Sequence, residues 1–429
     1  MRITSSTATG AALFAALLFT GCMQDDDAVV GADPADDLGA EELLPPPKVW
    51  NAKRAVLDAE QARRQGEVDR YVRDQLYRGY EIVETTQTYS GDLVDWVDAR
   101  TVPGSEIEPP PPLDPADLAM PPGLELQRTE LDEHPELRGP AGTIPFVRPS
   151  FPRYVEATAA ASLEEYLADE QTAQKALFGL RRYAGYLTGN GIIGLDAFVN
   201  QNINQIEAGT FSLLELAASC QGASPDTTRE LVGMTVSKDM ANFNDATQRL
   251  RVEFLTAGSL SGNYVGGWDG LYLGLIAAAG RPYGPNIALT VGPQYESRFH
   301  IQNYGGNWWV SHNNNWLGYY PGWMFNLMSF QACTANYYGE VYDPTPSPWT
   351  WTDMGSGYFP VSGIGKAAHM RNPYYVLPDG TATWLTNAAA YFGPNFPECY
   401  QQSSVFSGAA PWNAYFLLGG SGYTIFGCH

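Results

Sequence analysis

The sequence predicts an all-β protein, an antiparallel β-sandwich preceded by a smaller α+β region. Glycine (44 residues) and aromatic residues (13%) are abundant, helical spacing fades after about residue 185, and short alternating runs follow to the end. At 429 residues the chain can bury a large core in more than one domain. Its net charge of −22 argues against a nucleic-acid partner, because a polyanion repels a phosphate backbone.

The first residues have the pattern of an export signal, predicted here over residues 1–21. Arg2 precedes an apolar run from Ala8 to Phe19, and Leu18-Phe19-Thr20-Gly21-Cys22 resembles a bacterial lipobox. This pattern predicts cleavage before Cys22 and lipidation of that cysteine, which would anchor an exported protein to a membrane. The alternative is an ordinary secretory signal and a secreted protein.

The remaining cysteines are even in number, which in an oxidising compartment predicts two disulfide bridges. We expect Cys220–Cys333 and Cys399–Cys428. The five histidines form no metal-binding motif, so no metal site and no cofactor are predicted.

Several elements are expected before residue 183, in the following order. They are an acidic tether (22–48), an amphipathic helix (Val49 to Arg78), a hairpin of Tyr80–Tyr89 and Leu93–Val97 around Ser90-Gly91-Asp92, a Pro-rich linker outside any sheet (101–125), and a second helix (Leu163 to Arg182).

Short strands and glycine-rich turns follow. Arg249 to Phe254 alternates, with Leu250, Val252 and Phe254 on one face and charged residues on the other. Further strands are predicted at Ile287–Val291, Phe299–Gln302, Trp308–Ser311 and Tyr338–Tyr342.

Several motifs resemble the neprosin-like glutamic peptidases. Thr88 to Val97 and Arg148-Pro149-Ser150-Phe151 resemble the activation propeptide of that family, here residues 49–155. Met354 to Asn372, with its Met-Gly-Ser-Gly-Tyr-Phe-Pro sequence, is the most specific match to the catalytic domain, here residues 177–429. The resemblance implies a β-sandwich that hydrolyses peptide bonds with two glutamates at acid pH, often after proline.

Glu340, in Gly339-Glu340-Val341, matches the second catalytic glutamate of the family. The first is less clear, because alignment on Gly233 places Leu231 in that position and leaves Glu230 one residue early. Glu215 is another candidate, since it replaces the glutamine of a Ser-Leu-Ser-Gln motif, and a third alternative is that no competent partner exists. Because single-residue slips change the face of a strand, a bulge would have to return Glu230 to the working face.

Aromatic residues cluster in sequence near Glu340. Trp309, Tyr319 and Tyr320 are predicted to line a cleft for the substrate, with ordinary core packing as the alternative.

These observations predict an exported, acid-active endopeptidase that acts on polypeptides, with its N-terminal region over the cleft at neutral pH. The alternative is a catalytically impaired surface module that binds glycan or peptide.

Overall fold

The computed structural model describes most of the chain from residue 57 onward. The described ranges are 57–77, 79–102, 107–148, 151–157, 159–168, 181–189, 191–202, 205–221, 229–239, 248–255, 281–282, 294–344, 350–386 and 397–422. The predicted signal peptide, the acidic tether, Cys22 and the predicted strand Ile287–Val291 lie outside these residues.

The N-terminal region is an α+β unit, as predicted. Its elements are α1 (Ala59–Tyr71), a π-helical turn (Val72–Leu76), β1 (Ile82–Gln87), β2 (Leu93–Asp98), a 3₁₀ turn (Ala99–Thr101), a second (Pro115–Leu118), β3 (Leu124–Leu126), α2 (Glu130–Glu133), a third 3₁₀ turn (Pro135–Leu137), β4 (Thr143–Val147) and α3 (Pro152–Ala157). Strands β1, β2 and β4 form an antiparallel sheet, which confirms the predicted hairpin. Asp58 starts α1 with a capping box, in which it and Gln61 each accept the backbone N–H of the other.

This region has its own apolar core and a buried ion pair. Val68, Val97 and Phe146 belong to one cluster of buried side chains. Asp95 and Arg148 form a buried ion pair, with Arg148 Nε 2.8 Å from Asp95 Oδ2. The two stretches that resemble a propeptide therefore meet inside one folded unit.

The remaining described strands build the sandwich. They are β5 (Arg181–Thr188), β6 (Gly194–Gln201), β7 (Phe211–Gln221), β8 (Arg229–Asp239), β9 (Gln248–Leu255), β10 (Arg281–Pro282), β11 (Gln294–Tyr304), β12 (Asn307–His312), β13 (Asn315–Pro321), β14 (Thr334–Tyr342), β15 (Ala368–Val376), β16 (Ala382–Trp384), β17 (Gln401–Gln402), β18 (Phe406–Ser407) and β19 (Ala414–Gly419). Two 3₁₀ turns, Gly322–Met324 and Pro360–Ser362, lie between them.

Two sheets share one core. The order in the first is β10-β9-β8-β7-β14-β5, and in the second β13-β12-β11-β6-β15-β19-β17, with β16, β18 and β3 attached to its members. Met234 and Tyr337 from the first sheet and Phe299 and Met370 from the second belong to one buried cluster. The predicted antiparallel sandwich is confirmed.

The alternation predicted along Arg249 to Phe254 is also confirmed. Leu250, Val252 and Phe254 enter the core on β9, so the charged residues between them lie on the opposite face.

Two predicted elements need correction. The Pro-rich linker was expected outside any sheet, but its end forms β3, which pairs in parallel with residues 294–296 of β11. The helix predicted from Leu163 to Arg182 is present over residues 163–168. Arg181 and Arg182 instead begin β5, because pairing with β14 overrides helix propensity.

The predicted boundaries at residues 155 and 177 stay a prediction, and Leu163 packs into the core of the N-terminal region. Within the described ranges, no helix has the length and apolarity needed to cross a bilayer.

Candidate active site

On the six-stranded sheet, the face that points away from the sandwich core carries Glu215 and Glu340 on neighbouring strands, with Glu253 farther along the sheet on β9. Alternate residues of β7 and β14 enter the core, so the residues between them lie on the opposite face. Glu340 of β14 lies opposite Leu213 of β7, and Tyr338 lies opposite Glu215. Paired residues share a face, so Glu215 and Glu340 are diagonal neighbours, a relation in which Cβ atoms lie about 7 Å apart. The structure therefore brings Glu215 to Glu340.

Glu340 is buried against an arginine. It is 2% exposed, and its Oε1 forms an ion pair with Nη1 of Arg181 on β5. The guanidinium carbon of Arg181 lies 5.3 Å from the ring centroid of Phe211. A cation in contact with a carboxylate favours the ionised form, and β5 thus supplies positive charge to the site.

Glu215 is positioned by a hydroxyl and a glycine. It is 1% exposed, and the Tyr338 hydroxyl donates a hydrogen bond to its Oε2. A Cβ atom at Gly233 would overlap Oε1 of Glu215. The glycine on β8 therefore leaves the space that this carboxylate occupies.

Glu230 does not meet Glu340, which corrects the prediction that favoured it. It lies opposite Cys220, whose side chain is in the core, and the β7–β8 register is unbroken from residue 229 to residue 239. Its carboxylate accepts three backbone N–H groups, from Asn326 (2.8 Å), Leu327 (2.6 Å) and Met328 (2.9 Å). Glu230 therefore anchors the loop after β13 instead of facing the candidate site.

Leu231 aligns with the family's first glutamate. It lies on the same outer face as Glu340, but at a different level along the strands. It pairs with Ser219, whereas Glu340 pairs with Leu213. Six residues separate those two positions on β7, about 20 Å along an extended strand. Glu215 therefore lies nearer to Glu340 than the Leu231 position does.

Aromatic and apolar side chains surround the glutamates on this face. Tyr183 and Tyr338 pack with ring centroids 5.8 Å apart, and Phe211 stacks on Tyr342 at 5.1 Å. These residues, with Arg181, were missed from the sequence. For Tyr338 and Tyr342 the sequence did contain a signal, because they alternate with Glu340 at period-2 spacing along one strand.

This face does not include Trp309, Tyr319 or Tyr320, so the structure does not bring these predicted substrate-binding residues to Glu340. They belong to β12 and β13 of the other sheet. Tyr320 is in the sandwich core, and Trp309 packs on Tyr319, its cross-strand partner, at 4.7 Å. The closeness of these residues to Glu340 in sequence suggested a shared site, but they lie on the opposite sheet of the sandwich.

The N-terminal region contacts the face that carries the glutamates. Asp92, in the turn between β1 and β2, forms an ion pair with Arg249 of β9, at 3.0 Å from Nη2. Glu130 supports that turn by accepting hydrogen bonds from the backbone and the hydroxyl of Ser90. Burial raises the pKa of Glu130, and the negative charge of Asp92 adds to that effect. The position of the N-terminal region over the cleft at neutral pH stays a prediction.

The other sheet carries a separate charged cluster on its outer face. Asp196 pairs with Arg298 (2.9 Å) and His300 (2.8 Å), while Glu296 pairs with Arg371 (2.7 Å) and with His369 (2.6 Å). Burial opposes ionisation of Glu296, but the hydrogen bonds and positive charge of His369 and Arg371 outweigh it and lower the pKa. This carboxyl is thus held ionised and is poorly suited to donate a proton.

A cavity of about 440 Å³ borders this cluster, and Asp196, Arg298, Tyr374 and Trp384 contribute to its lining. Among the described residues its lining contains no glutamate pair, and its position on the second sheet separates it from Glu340. We therefore place the candidate active site on the six-stranded sheet.

The predicted disulfide Cys220–Cys333 is confirmed, with an S–S distance of 2.02 Å. It links the end of β7 to the residue before β14, the two strands that carry Glu215 and Glu340. The bridge Cys399–Cys428 stays a prediction, because Cys428 lies outside the described residues.

Residues 275–421 match the Neprosin family model. This range includes Glu340 and the Met354–Asn372 motif, and it confirms the resemblance to neprosin-like glutamic peptidases over that part of the chain.

The chain also matches solved structures of glutamic peptidases at low sequence identity. Scytalido-glutamic peptidase, crystallised with a transition-state analogue inhibitor, has 10% identity and a TM-score of 0.30 over 55% of this chain and 97% of its own. SCP-B, a member of the Eqolisin family crystallised with the tripeptide Ala-Ile-His, has 9% identity and a TM-score of 0.27 over the same shares. Likeness at this level defines no function for this chain.

Proposed function

We propose that this protein is an acid-active glutamic endopeptidase in which Glu215 and Glu340 hydrolyse peptide bonds of polypeptide substrates. The observation that carries the proposal is that these two buried carboxyls occupy diagonal positions on one face of a sheet. The Neprosin match over residues 275–421 supports the reaction class.

Two carboxyls can share the work of peptide hydrolysis without a metal or a covalent nucleophile. Ionised carboxylates about 5 Å apart, close enough for one water to bridge, repel by about 3 kcal/mol at an effective dielectric near 20. That repulsion equals about two pKa units, so one carboxyl of such a pair keeps its proton while the other ionises. A base and an acid then exist at the same pH.

The contacts suggest which glutamate has which role. The guanidinium of Arg181 touches Glu340, so we assign Glu340 as the carboxylate that takes a proton from the attacking water. Glu215, held by the Tyr338 hydroxyl, is assigned as the neutral acid that hydrogen-bonds the scissile carbonyl and then protonates the leaving amine. After these two transfers Glu340 holds a proton and Glu215 is ionised, so passage of one proton from Glu340 to Glu215 restores the starting state.

Acid activity follows from the same arrangement, because the pair must hold one proton and a glutamate in water has a reference pKa near 4.3. We further propose that the N-terminal region covers this face at neutral pH through Asp92 and Arg249. Protonation of carboxylates in such a contact weakens it, which would release the face in acid.

The remaining parts of the proposal concern substrate and location. Tyr183, Phe211 and Tyr342 form an aromatic floor near the glutamates, and such a floor suits a proline ring. Export, with lipidation at Cys22 as the membrane anchor, is proposed from the N-terminal sequence pattern.

Hydrolysis of a Pro-containing fluorogenic peptide at about pH 4 tests the activity. The purified chain should cleave it, and Glu340→Gln, a substitution of equal size, should reduce the rate by at least about 100-fold with unchanged circular dichroism. Equal rates for both proteins would refute the assignment. Peptide binding without any hydrolysis would favour the alternative of a catalytically impaired binding module.

A further inference from the structure

An arginine on the candidate catalytic face already holds a carboxylate. Arg249 of β9 lies opposite Ser237 of β8, and Ser237 lies opposite Leu213 of β7. Leu213 in turn lies opposite Glu340, so Arg249 and Glu340 belong to one row across the sheet. Asp92 accepts hydrogen bonds from Arg249 Nε at 3.1 Å and from Nη2 at 3.0 Å.

The contact has the geometry by which proteins recognise carboxylates. Two parallel N–H groups of the guanidinium meet the two oxygens of Asp92, which is the bidentate arrangement that an arginine fork favours. Arg249 is 2% exposed, and the Asp92 side chain is 14% exposed. Partial burial reduces the screening of the Arg249 charge by solvent. The guanidinium therefore binds a charged carboxylate in preference to a neutral amide.

Arg249 differs from the next arginine on this face. Arg251, two residues along the same strand, pairs with Glu253 of that strand at 3.6 Å. Arg249 instead takes a carboxylate from a turn of the N-terminal region. A peptide that displaces this turn would meet the same guanidinium fork.

We propose that Arg249 forms a subsite for an acidic side chain of the substrate and that Asp92 occupies this subsite in the uncleaved chain. The inference rests on the proposed peptidase function of the same face. β9 is three strands from β14 in the sheet order, or about 14 Å at 4.7–4.9 Å per strand. A peptide that lies across the strands spans this distance in about four residues, so the preferred Asp or Glu lies about three or four residues from the scissile bond.

Matched fluorogenic peptides test the subsite on the full chain. The two peptides of each pair share a Pro-containing centre and differ only in having Asp or Asn at one position. From pair to pair, that position moves from four residues before to four residues after the cleaved bond. At about pH 5, where a peptide Asp is mostly ionised, one position should favour Asp over Asn by about tenfold or more in kcat/KM.

Variants identify the residue responsible. Arg249→Gln should abolish the preference, Arg249→Lys should keep part of it because the charge remains, and Arg128→Gln, at an exposed site, should leave it intact. Hydrolysis of all peptides without preference, or a preference that survives Arg249→Gln, would overturn the subsite and leave the peptidase proposal in place. Failure to hydrolyse any peptide would overturn both.

Discussion

Substituting each of the two competing glutamates separates catalysis from structure. Glu230→Gln changes a carboxylate that accepts three backbone N–H groups within 2.9 Å. A Gln side chain has a single oxygen to accept these backbone N–H groups. Its N–H₂ group would then face the remaining backbone N–H groups, and two donors cannot bond each other. Hydrogen bonds to a charged group are each worth about 1.5–3 kcal/mol, so we expect a loss of about 2–5 kcal/mol in the free energy of unfolding.

For Glu215→Gln we expect the opposite result, with little change in stability and a large loss of activity. The substitution conserves volume and keeps an oxygen for the Tyr338 hydroxyl, so the free energy of unfolding should change by less than about 1 kcal/mol. The proton that Glu215 supplies is lost, and kcat should fall by about 10²–10⁴.

Both variants are compared with wild type by denaturant unfolding and by hydrolysis of one Pro-containing peptide at about pH 4. Folded Glu230→Gln should retain kcat within a few-fold. The reasoning is refuted if Glu215→Gln hydrolyses the peptide at the wild-type rate, or if Glu230→Gln is inactive while fully folded.

Three further substitutions test the surroundings of the site and the two folded units. Gly233→Ala should push the carboxylate of Glu215 from its position and reduce kcat by at least about tenfold, whereas equal activity would show that the carboxylate has room to move. Arg148→Met leaves the buried Asp95 charge without this cation and should cost about 3–5 kcal/mol in the N-terminal region, measurable as a lower denaturation midpoint. Glu296 has a lowered pKa when folded, so its stabilisation is complete above its unfolded value of 4.5 and is lost as the pH falls through the folded value. Unfolding curves of wild type and Glu296→Gln should therefore converge as the pH decreases below about 4.5, and a difference independent of pH would contradict this.

Local patterns in the sequence predicted the sandwich and much of the N-terminal region. The alternation along β9 shows which side chains face the core, because a strand has a fixed period of two. The hairpin around Ser90-Gly91-Asp92 was predicted by turn chemistry. There were two exceptions. Arg181 and Arg182 joined β5 instead of a helix, and β3 formed because three residues free of proline are enough to pair with the part of β11 that lies beyond β12.

The partner of Glu340 required information that a single sequence does not contain. The spacing of residues shows that side chains alternate along β7 and along β8, but not which face of either strand meets Glu340. That choice is made by the register of β14 against β7, which places Tyr338 opposite Glu215. The same limit applies to Trp309, because closeness in sequence does not reveal which of two sheets a strand joins.

The N-terminal region places one aspartate against each sheet of the sandwich. Asp92 pairs with Arg249 on the six-stranded sheet, and Asp117 lies 3.3 Å from Arg298 on the other. The second contact is reinforced by the backbone ladder between β3 and β11, whereas Asp92 sits in a hairpin turn. Of these two contacts, the Asp92 contact is the one on the face that carries Glu215 and Glu340, so we expect a peptide that reaches this face to displace the hairpin turn. Loss of the Asp92 contact leaves the β3 ladder in place, so we expect the buried charges of the second sheet to stay covered when the hairpin turn is displaced.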